Sequence, residues 1–332
     1  MSGTAIPTPA HGAVEAAERR LFATIGLEAR TRFITLPDFC VPDGAARAKG
    51  AMRPMRVRVL EAGEGDPALL LHGGGGFAAL WAPLMAQAPG VRWIAVDRPG
   101  CGLSDGFDYG GVAFREHAVG FIGATMDALG LERVPIVANS MGGLWAFWFA
   151  LAHPERVASL GLLGCPAGIP LANAPLPFRL LGVPGINRLL FALEPPSVAQ
   201  VRRTWARMGH DPDRMLPELT ECFYRVERLP TYATGWRTLL ERFVTLRGMR
   251  PDVLVSEAEL RRVAQRVLLV WGESDPFGGL SAAETLRDAL PCAALELAGR
   301  GHLPWLDDPA RCGELVRRVL DSPAAARVAS AA

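Results

Sequence analysis

Three side chains of this 332-residue chain, Ser140, Asp275 and His302, are of the types that could do chemistry together. A hydroxyl is a poor nucleophile until a base takes its proton, and an imidazole is an effective base when a carboxylate holds it in one tautomer. Ser140 stands in the stretch Val134-Pro-Ile-Val-Ala-Asn-Ser-Met-Gly-Gly143. An apolar, β-favouring run (Val134 to Val137) meets a serine held between small residues, and Gly143 to Ala152 continues as an unbroken apolar helical pattern. The pattern predicts a strand, a sharp turn and a helix, with Ser140 at the tip. A side chain two positions before or after a nucleophile on so tight a turn would collide across it, and Ala138 and Gly142 fill those positions. Taken alone, the pentapeptide could also be a serine capping an ordinary helix.

The surroundings raise the signal. Ala68 to Leu71 is a wholly apolar run that ends in His72 and the glycines Gly73, Gly74, Gly75 and Gly76. Such a run suits a strand covered on both faces, and the glycines suit a backbone that must approach a ligand and aim its amides at it. Arg266 to Trp271 and Ala294 to Leu297 repeat the strand pattern. Asp275 lies just past the first and His302 just past the second. Loops at the carboxyl ends of strands in an open parallel sheet share one edge, so Ser140, Asp275 and His302 can converge there.

The elements that must position them follow in chain order. Ala13 to Ile25 reads as an amphipathic helix, Thr31 to Leu36 and Met55 to Leu60 as strands, and Cys40 to Pro54 as a surface loop. Strands at Trp93 to Val96 and Val157 to Leu163 and a helix at Phe114 to Leu129 alternate with the elements above, the signature of a parallel sheet covered on both sides. Between Pro166 and Arg262 strand patterns vanish. Proline-rich segments (Pro170 to Pro196) alternate with helical stretches at Val198 to Met208, Met215 to Glu227 and Tyr232 to Leu246. Helices at Ser281 to Leu290 and Pro309 to Leu320 complete the pattern. The expected organisation is an N-terminal helix, strand and loop (1–54), an α/β core (55–165 and 263–322), an all-helical cap (166–262) and a short tail (323–332).

Composition narrows the function classes. A formal net charge of +1 with dispersed arginines gives no electrostatic reason to expect nucleic acid. The six cysteines contain no C-x-x-C pair, which argues against a zinc site or a disulfide framework. No metal and no cofactor is expected. Met1 to Gly12 shows no signal-peptide pattern, and the most apolar stretch is far shorter than the roughly 20 residues a membrane helix needs. A cytoplasmic protein with no membrane association is the expectation.

The order Ser, Asp, His, the elbow and the apolar strand into His-Gly-Gly together resemble the α/β-hydrolase superfamily. The resemblance runs from Met55 to Leu320 and includes Asp97-Arg98-Pro99-Gly100, Trp-Gly-x-x-Asp and Gly-His-x-Pro-x-x-Asp-x-Pro. It implies an α/β-hydrolase fold: a mostly parallel central sheet flanked by helices, with an inserted helical cap. It also implies Ser140 as nucleophile, His302 as base, Asp275 as the acid that orients it, and the amides of Gly74 and Met141 as oxyanion donors, with Gly75 as the alternative. The superfamily's Gly-x-x-Asp spacing favours Asp275 over Glu273. Asp307 and Asp308 read as caps for the last helix, His72 as structural, His153 as a helix end, and His11, His117 and His210 as histidines without a partner motif.

The implied substrate is a small apolar carbonyl compound: a carboxylic ester, lactone or thioester. Gly75, Trp145, Leu303 and Trp305 are the expected substrate contacts, with Met141 and Leu144 beside them. Of Phe178, Leu180, Leu181, Trp205, Met208, Phe223, Tyr224, Tyr232 and Trp236, some should line the pocket while most form the core of the cap. Arg179, Arg188 and Arg202 could meet a carboxylate but fit exposed positions better. The segment Asn139-Ser140-Met141-Gly142-Gly143 is also similar to the elbow of carbon-carbon bond hydrolases of aromatic-ring degradation, which cleave vinylogous diketones. Phe77, where those enzymes usually carry proline, and Leu303, where they carry tryptophan, place that reading second. A ligand-binding receptor of the same fold is a third reading, and Ser140 excludes an aspartate nucleophile.

Overall fold

The computed structural model describes residues 8–42 and 52–320. Its first half runs α1 (Pro9–Ile25), β1 (Ala29–Pro42), β2 (Met52–Ala62), β3 (Asp66–Leu71), a 3-10 turn into α2 (Ala82–Gln87), β4 (Val91–Val96), α3 (Phe114–Ala128), β5 (Val134–Ala138), α4 (Met141–Ala152) and β6 (Val157–Leu163). An insert follows: α5 (Leu176–Leu181), α6 (Ile186–Leu193), α7 (Val198–Arg207), α8 (Pro217–Glu227), α9 (Tyr232–Phe243), the short strands β7 (Val244–Thr245) and β8 (Gly248–Met249), and α10 (Glu257–Leu260). The sheet then resumes with β9 (Arg266–Trp271), α11 (Leu280–Ala289), β10 (Ala293–Leu297), α12 (Pro304–Asp307) and α13 (Pro309–Leu320).

Eight strands form one sheet in the order β1-β2-β4-β3-β5-β6-β9-β10. The pairs β1–β2 and β2–β4 are antiparallel, and every later pair is parallel. The strands are apolar on both faces because both are covered. Leu69, Leu71, Ile136, Ala138, Leu269 and Trp271 turn to one side, against Phe121, Trp148 and Leu286 of α3, α4 and α11. Their neighbours Ala68, Leu70, Val137, Leu268 and Val270 turn to the other, against Leu21, Leu84 and Val316 of α1, α2 and α13. This period-two division is what a parallel sheet between two helical layers requires. The α/β-hydrolase architecture expected from the sequence is the one observed.

Two expectations change. Cys40 to Pro42 and Met52 to Pro54 pair as strand rather than loop, with a register shift between Leu36 and Cys40. The edge position of β1 and that irregularity accommodate Pro37. Residues 43–51 of the expected loop, and the tail 323–332, lie outside the described residues. The insert is not all helix either, since β7 and β8 pair antiparallel as a minimal hairpin. Two residues a side are too few to leave a readable alternation in the sequence.

Candidate active site

Ser140 sits between β5 and α4 with φ 51° and ψ −118°. A serine in the left-handed region costs about 1–3 kcal/mol, held here by the sheet below and the helix above. A Cβ on Gly142 would lie 2.2 Å from the Leu71 carbonyl oxygen, so only glycine lets α4 start against the end of β3. The neighbouring Asn139 is a joint the sequence did not reveal as such. Its Nδ2 donates to the Leu163 carbonyl at 2.6 Å and to the His302 carbonyl at 2.9 Å, binding the elbow to β6 and to the histidine loop.

The glycine loop after β3 is oriented by its own histidine. His72 Nδ1 bonds the Gly73 carbonyl at 2.8 Å, while Nε2 accepts from the Arg98 amide at 3.0 Å. Together these bonds assign the proton to Nδ1. Burial, then the Arg98 charge, depress the His72 pKa well below its usual value and keep the ring neutral, as an accepting Nε2 requires. Arg98 Nη2 adds a second donor to the Gly73 carbonyl at 2.6 Å. A trans peptide points its N–H away from its C=O, so pinning the Gly73 carbonyl also pins the Gly74 amide in the opposite direction. Met141 is the first residue of α4, where helix geometry leaves its N–H without an intrahelical acceptor. Gly74 and Met141 are adjacent, a Cβ on Gly74 lying 3.6 Å from Met141 Cε.

Asp275, past the end of β9, is buried and accepts four hydrogen bonds. His302 Nδ1 donates to its two oxygens at 3.0 and 2.9 Å, the Cys165 amide donates to Oδ2 at 2.8 Å and the Phe277 amide to Oδ1 at 2.9 Å. Burial works to raise the Asp275 pKa, but the imidazole and the amides outweigh it and hold the carboxyl below its ordinary value. The ionised acid therefore fixes the proton of His302 on Nδ1 and leaves Nε2 as an acceptor. Glu273 is exposed and makes no such set of contacts.

The insert reaches this histidine directly. The His302 amide donates to the Met208 carbonyl at 2.8 Å, and the Leu303 amide donates to His210 Nε2 at 3.2 Å. His210 Nδ1 in turn bonds both Asp307 oxygens at 3.0 Å. A Cβ on Gly301 would lie 2.5 Å from His210 Cε1, so the contact depends on that glycine. The sequence marked His210 as partnerless and Asp307 as a helix cap. Asp307 instead accepts from the Arg300 and Gly301 amides at 2.8 and 2.9 Å as well as from His210, while Asp308 is the cap, accepting from the Arg311 amide at 3.0 Å. Nothing in the sequence marks a pairing between two residues 97 positions apart.

One cavity of about 820 Å³ is lined by Gly74, Gly75, Ser140, Met141, His302, Leu303 and Trp305. Seven of the insert's apolar residues named from the sequence join them: Phe178, Leu180, Leu181, Met208, Phe223, Tyr232 and Trp236. Tyr232 also donates from its hydroxyl to the Gly75 carbonyl at 3.0 Å. Trp205 and Tyr224 are not in the lining, Trp205 being buried against Phe223 with its indole N–H on Thr220. Trp145 requires correction. It lies one helical turn beyond the elbow, wholly buried among Phe114, His117 and Phe121, with the Arg98 guanidinium 4.7 Å over its ring, and it does not line the cavity. Leu144 is likewise absent from the lining, and so are Arg179, Arg188 and Arg202; Arg203 and Arg207 are the arginines that reach it. Among the described residues no cluster of His, Cys, Asp and Glu could hold a metal ion, and no helix is long and apolar enough to cross a membrane.

Comparison with known proteins matches residues 66–309 to a family described as alpha/beta hydrolase fold. The chain is 31% identical over 274 residues to a 2-hydroxy-6-oxononadienedioate/2-hydroxy-6-oxononatrienedioate hydrolase of Burkholderia vietnamiensis, covering 80% of this chain and 91% of that one. Among solved structures, carboxylesterase CesB of Bacillus subtilis superposes with a TM-score of 0.70 at 19% identity, covering 95% of this chain and 99% of the other. The 2-hydroxy-6-oxo-6-phenylhexa-2,4-dienoate hydrolase of Rhodococcus sp. strain RHA1 gives 0.65 at 23% identity, covering 88% and 100%. At these identities the structural likeness establishes the fold.

Proposed function

Because this chain belongs to the α/β-hydrolase family, we propose that it is a serine hydrolase that cleaves a carboxylic ester, lactone or thioester of a largely apolar small molecule. The observation that carries this reading is the convergence of Ser140 and the Asp275-oriented His302 on one cavity with the Gly74 and Met141 amides. Ser140 Oγ attacks the carbonyl carbon as His302 Nε2 takes its proton, and the oxyanion forms against the two amides. The tetrahedral species collapses to an acyl-Ser140 as His302 returns the proton to the departing oxygen or sulfur. Water, deprotonated by the same nitrogen, releases the acid and restores the hydroxyl. The start of α4 behind Met141 adds the positive end of a helix dipole to the oxyanion. The insert between β6 and β9 supplies much of the lining and controls access.

A second reading has specific support. The Burkholderia relative's name is that of a hydrolase of dienedioates, and the same triad and amides would serve a carbon-carbon cleavage of a vinylogous diketone. The cavity suits a dianion poorly. Its two arginines both bond Glu194, Arg203 Nε at 2.9 Å and Arg207 Nη1 at 3.3 Å, and Glu227 lines the same wall. The test is turnover of p-nitrophenyl acetate and butyrate beside a ring-cleavage dienone. Steady ester turnover is expected. Turnover of the dienone alone would establish the second reading, and a stoichiometric burst that stops would point to a binding protein.

A further inference from the structure

Helix α7 sets its polar side along the cavity. Gln200, Arg203, Thr204 and Arg207, spaced by three and four residues, line the cavity, while Val201 and Trp205 are buried on the helix's other side. Arg203 and Arg207 stay exposed at the outer part of that stripe, as a polar helix face ordinarily does, while Gln200 and Thr204 are half-buried. Helix α8 contributes Phe223 and Glu227, one turn apart, to the same cavity.

Most of these polar groups are spoken for. Glu194 takes both arginines, and Gln200 Nε2 donates to Thr204 Oγ1 at 3.1 Å. Two acceptors remain without a hydrogen bond among the described residues, Gln200 Oε1 and Glu227 Oε2, both buried atoms on side chains that contact each other. Buried acceptors are ordinarily paired, and leaving one unpaired is costly. Both belong to side chains that line the cavity of Ser140, whose other walls are chiefly aromatic and aliphatic.

We propose that Gln200 and Glu227 form a subsite for a hydrogen-bond-donating group, a hydroxyl or an ammonium, carried by an otherwise apolar carbonyl substrate. The proposal rests on the reading of Ser140 as the centre of that cavity and specifies what its substrate must carry. The carboxyl's own chemistry fits either donor. Burial, aided by the nearby Glu194 charge and opposed by the Gln200 contact, pushes the Glu227 pKa up to about 7, so a neutral hydroxyl is tolerated and an ammonium would draw the carboxyl into its ionised form.

The test uses straight-chain methyl ketones of about four to ten carbons, a span suited to a cavity of this class, ending in methyl, hydroxyl or ammonium. Ketones have no leaving group, so affinity is measured by calorimetry independently of turnover. At the best length the donor-ended ketone is expected to bind about tenfold or more tightly than the methyl-ended one. Glu227→Leu and Gln200→Leu should each shrink that ratio, which is read within one variant so that a general loss of affinity cancels. The near-isosteric Glu227→Gln should keep a hydroxyl preference and lose an ammonium one. An ammonium preference should also grow as pH rises through about 7, whereas a hydroxyl preference should not. Preference for methyl at every length, or a donor preference intact in both leucine variants, overturns the proposal. A donor preference in a protein that turns over no ester would instead overturn the serine-hydrolase reading and leave this subsite standing.

Discussion

The His302 amide donates to the Met208 carbonyl at 2.8 Å, tying the proposed base to the end of an insert helix as well as to its carboxylate. Next to it, His210 accepts from the Leu303 amide and bonds Asp307, so one wholly buried imidazole spans the loop on both sides of His302. His210→Ala removes both bonds and is expected to lower kcat about tenfold or more with a smaller change in KM, since the loss falls on the placement of the base. His210→Gln, which can still donate and accept, should recover part of it. An unchanged kcat beside a lowered Tm would assign His210 to stability alone.

Ser140→Ala removes the nucleophile while keeping a small side chain in the elbow. Ester turnover should disappear, and a fluorophosphonate that labels the parent protein should leave the variant unmarked. Labelling that persists at full stoichiometry would move the nucleophile elsewhere.

Asp275→Asn replaces the acceptor of the His302 proton with an amide that favours the other tautomer. In a serine triad this substitution lowers kcat by about 10⁴, and a loss of that order is expected. Glu273→Gln, two residues away and exposed, should cost less than tenfold by the same reasoning. Equal losses would mean that the loop's charge, and not the bond to His302, matters.

Glu227 gives the stability a pH dependence of definite sign. Its pKa is about 7 in the fold against 4.5 for the free group, with burial as the first cause. Between these values the folded chain binds more protons than the unfolded one, so stability falls as pH rises through the window, by at most about 1.4 kcal/mol per pH unit for this group. Below it the penalty is absent; above it the penalty is complete. Glu18, likewise raised to about 7 chiefly by burial, adds a parallel slope. Denaturant midpoints of the parent and Glu227→Gln at about pH 5 and pH 8 should converge at the lower value, with the variant ahead at the higher. Parallel losses in both proteins would assign the slope to other groups.

The sequence by itself determined the sheet and the elbow, because both are written in local pattern. The runs at Val157–Leu163 and Arg266–Trp271 are apolar but for Ser159 and Arg266 over a strand's length, and they are strands with those bounds. Small residues around Ser140 and glycines after His72 announce backbone that must turn sharply or pass close to something, and the structure shows what is close: the Leu71 carbonyl for Gly142 and the Trp236 ring for Gly74. Periodicity says which residues are buried but not against what. Trp145 was therefore legible as apolar helix, and only the packing of α3 against α4 decided that it meets Phe114 and Phe121 instead of the cavity. The polar stripe of α7 reads as a solvated face, which Arg203 and Arg207 still form, and only the fold shows that the stripe also borders the cavity. His210 and Asp307, or Asn139 and the His302 carbonyl, are joined across long stretches of chain. Contacts of that kind leave no local spacing to read, since they exist only once separate elements have packed, and so the tertiary structure alone decided them.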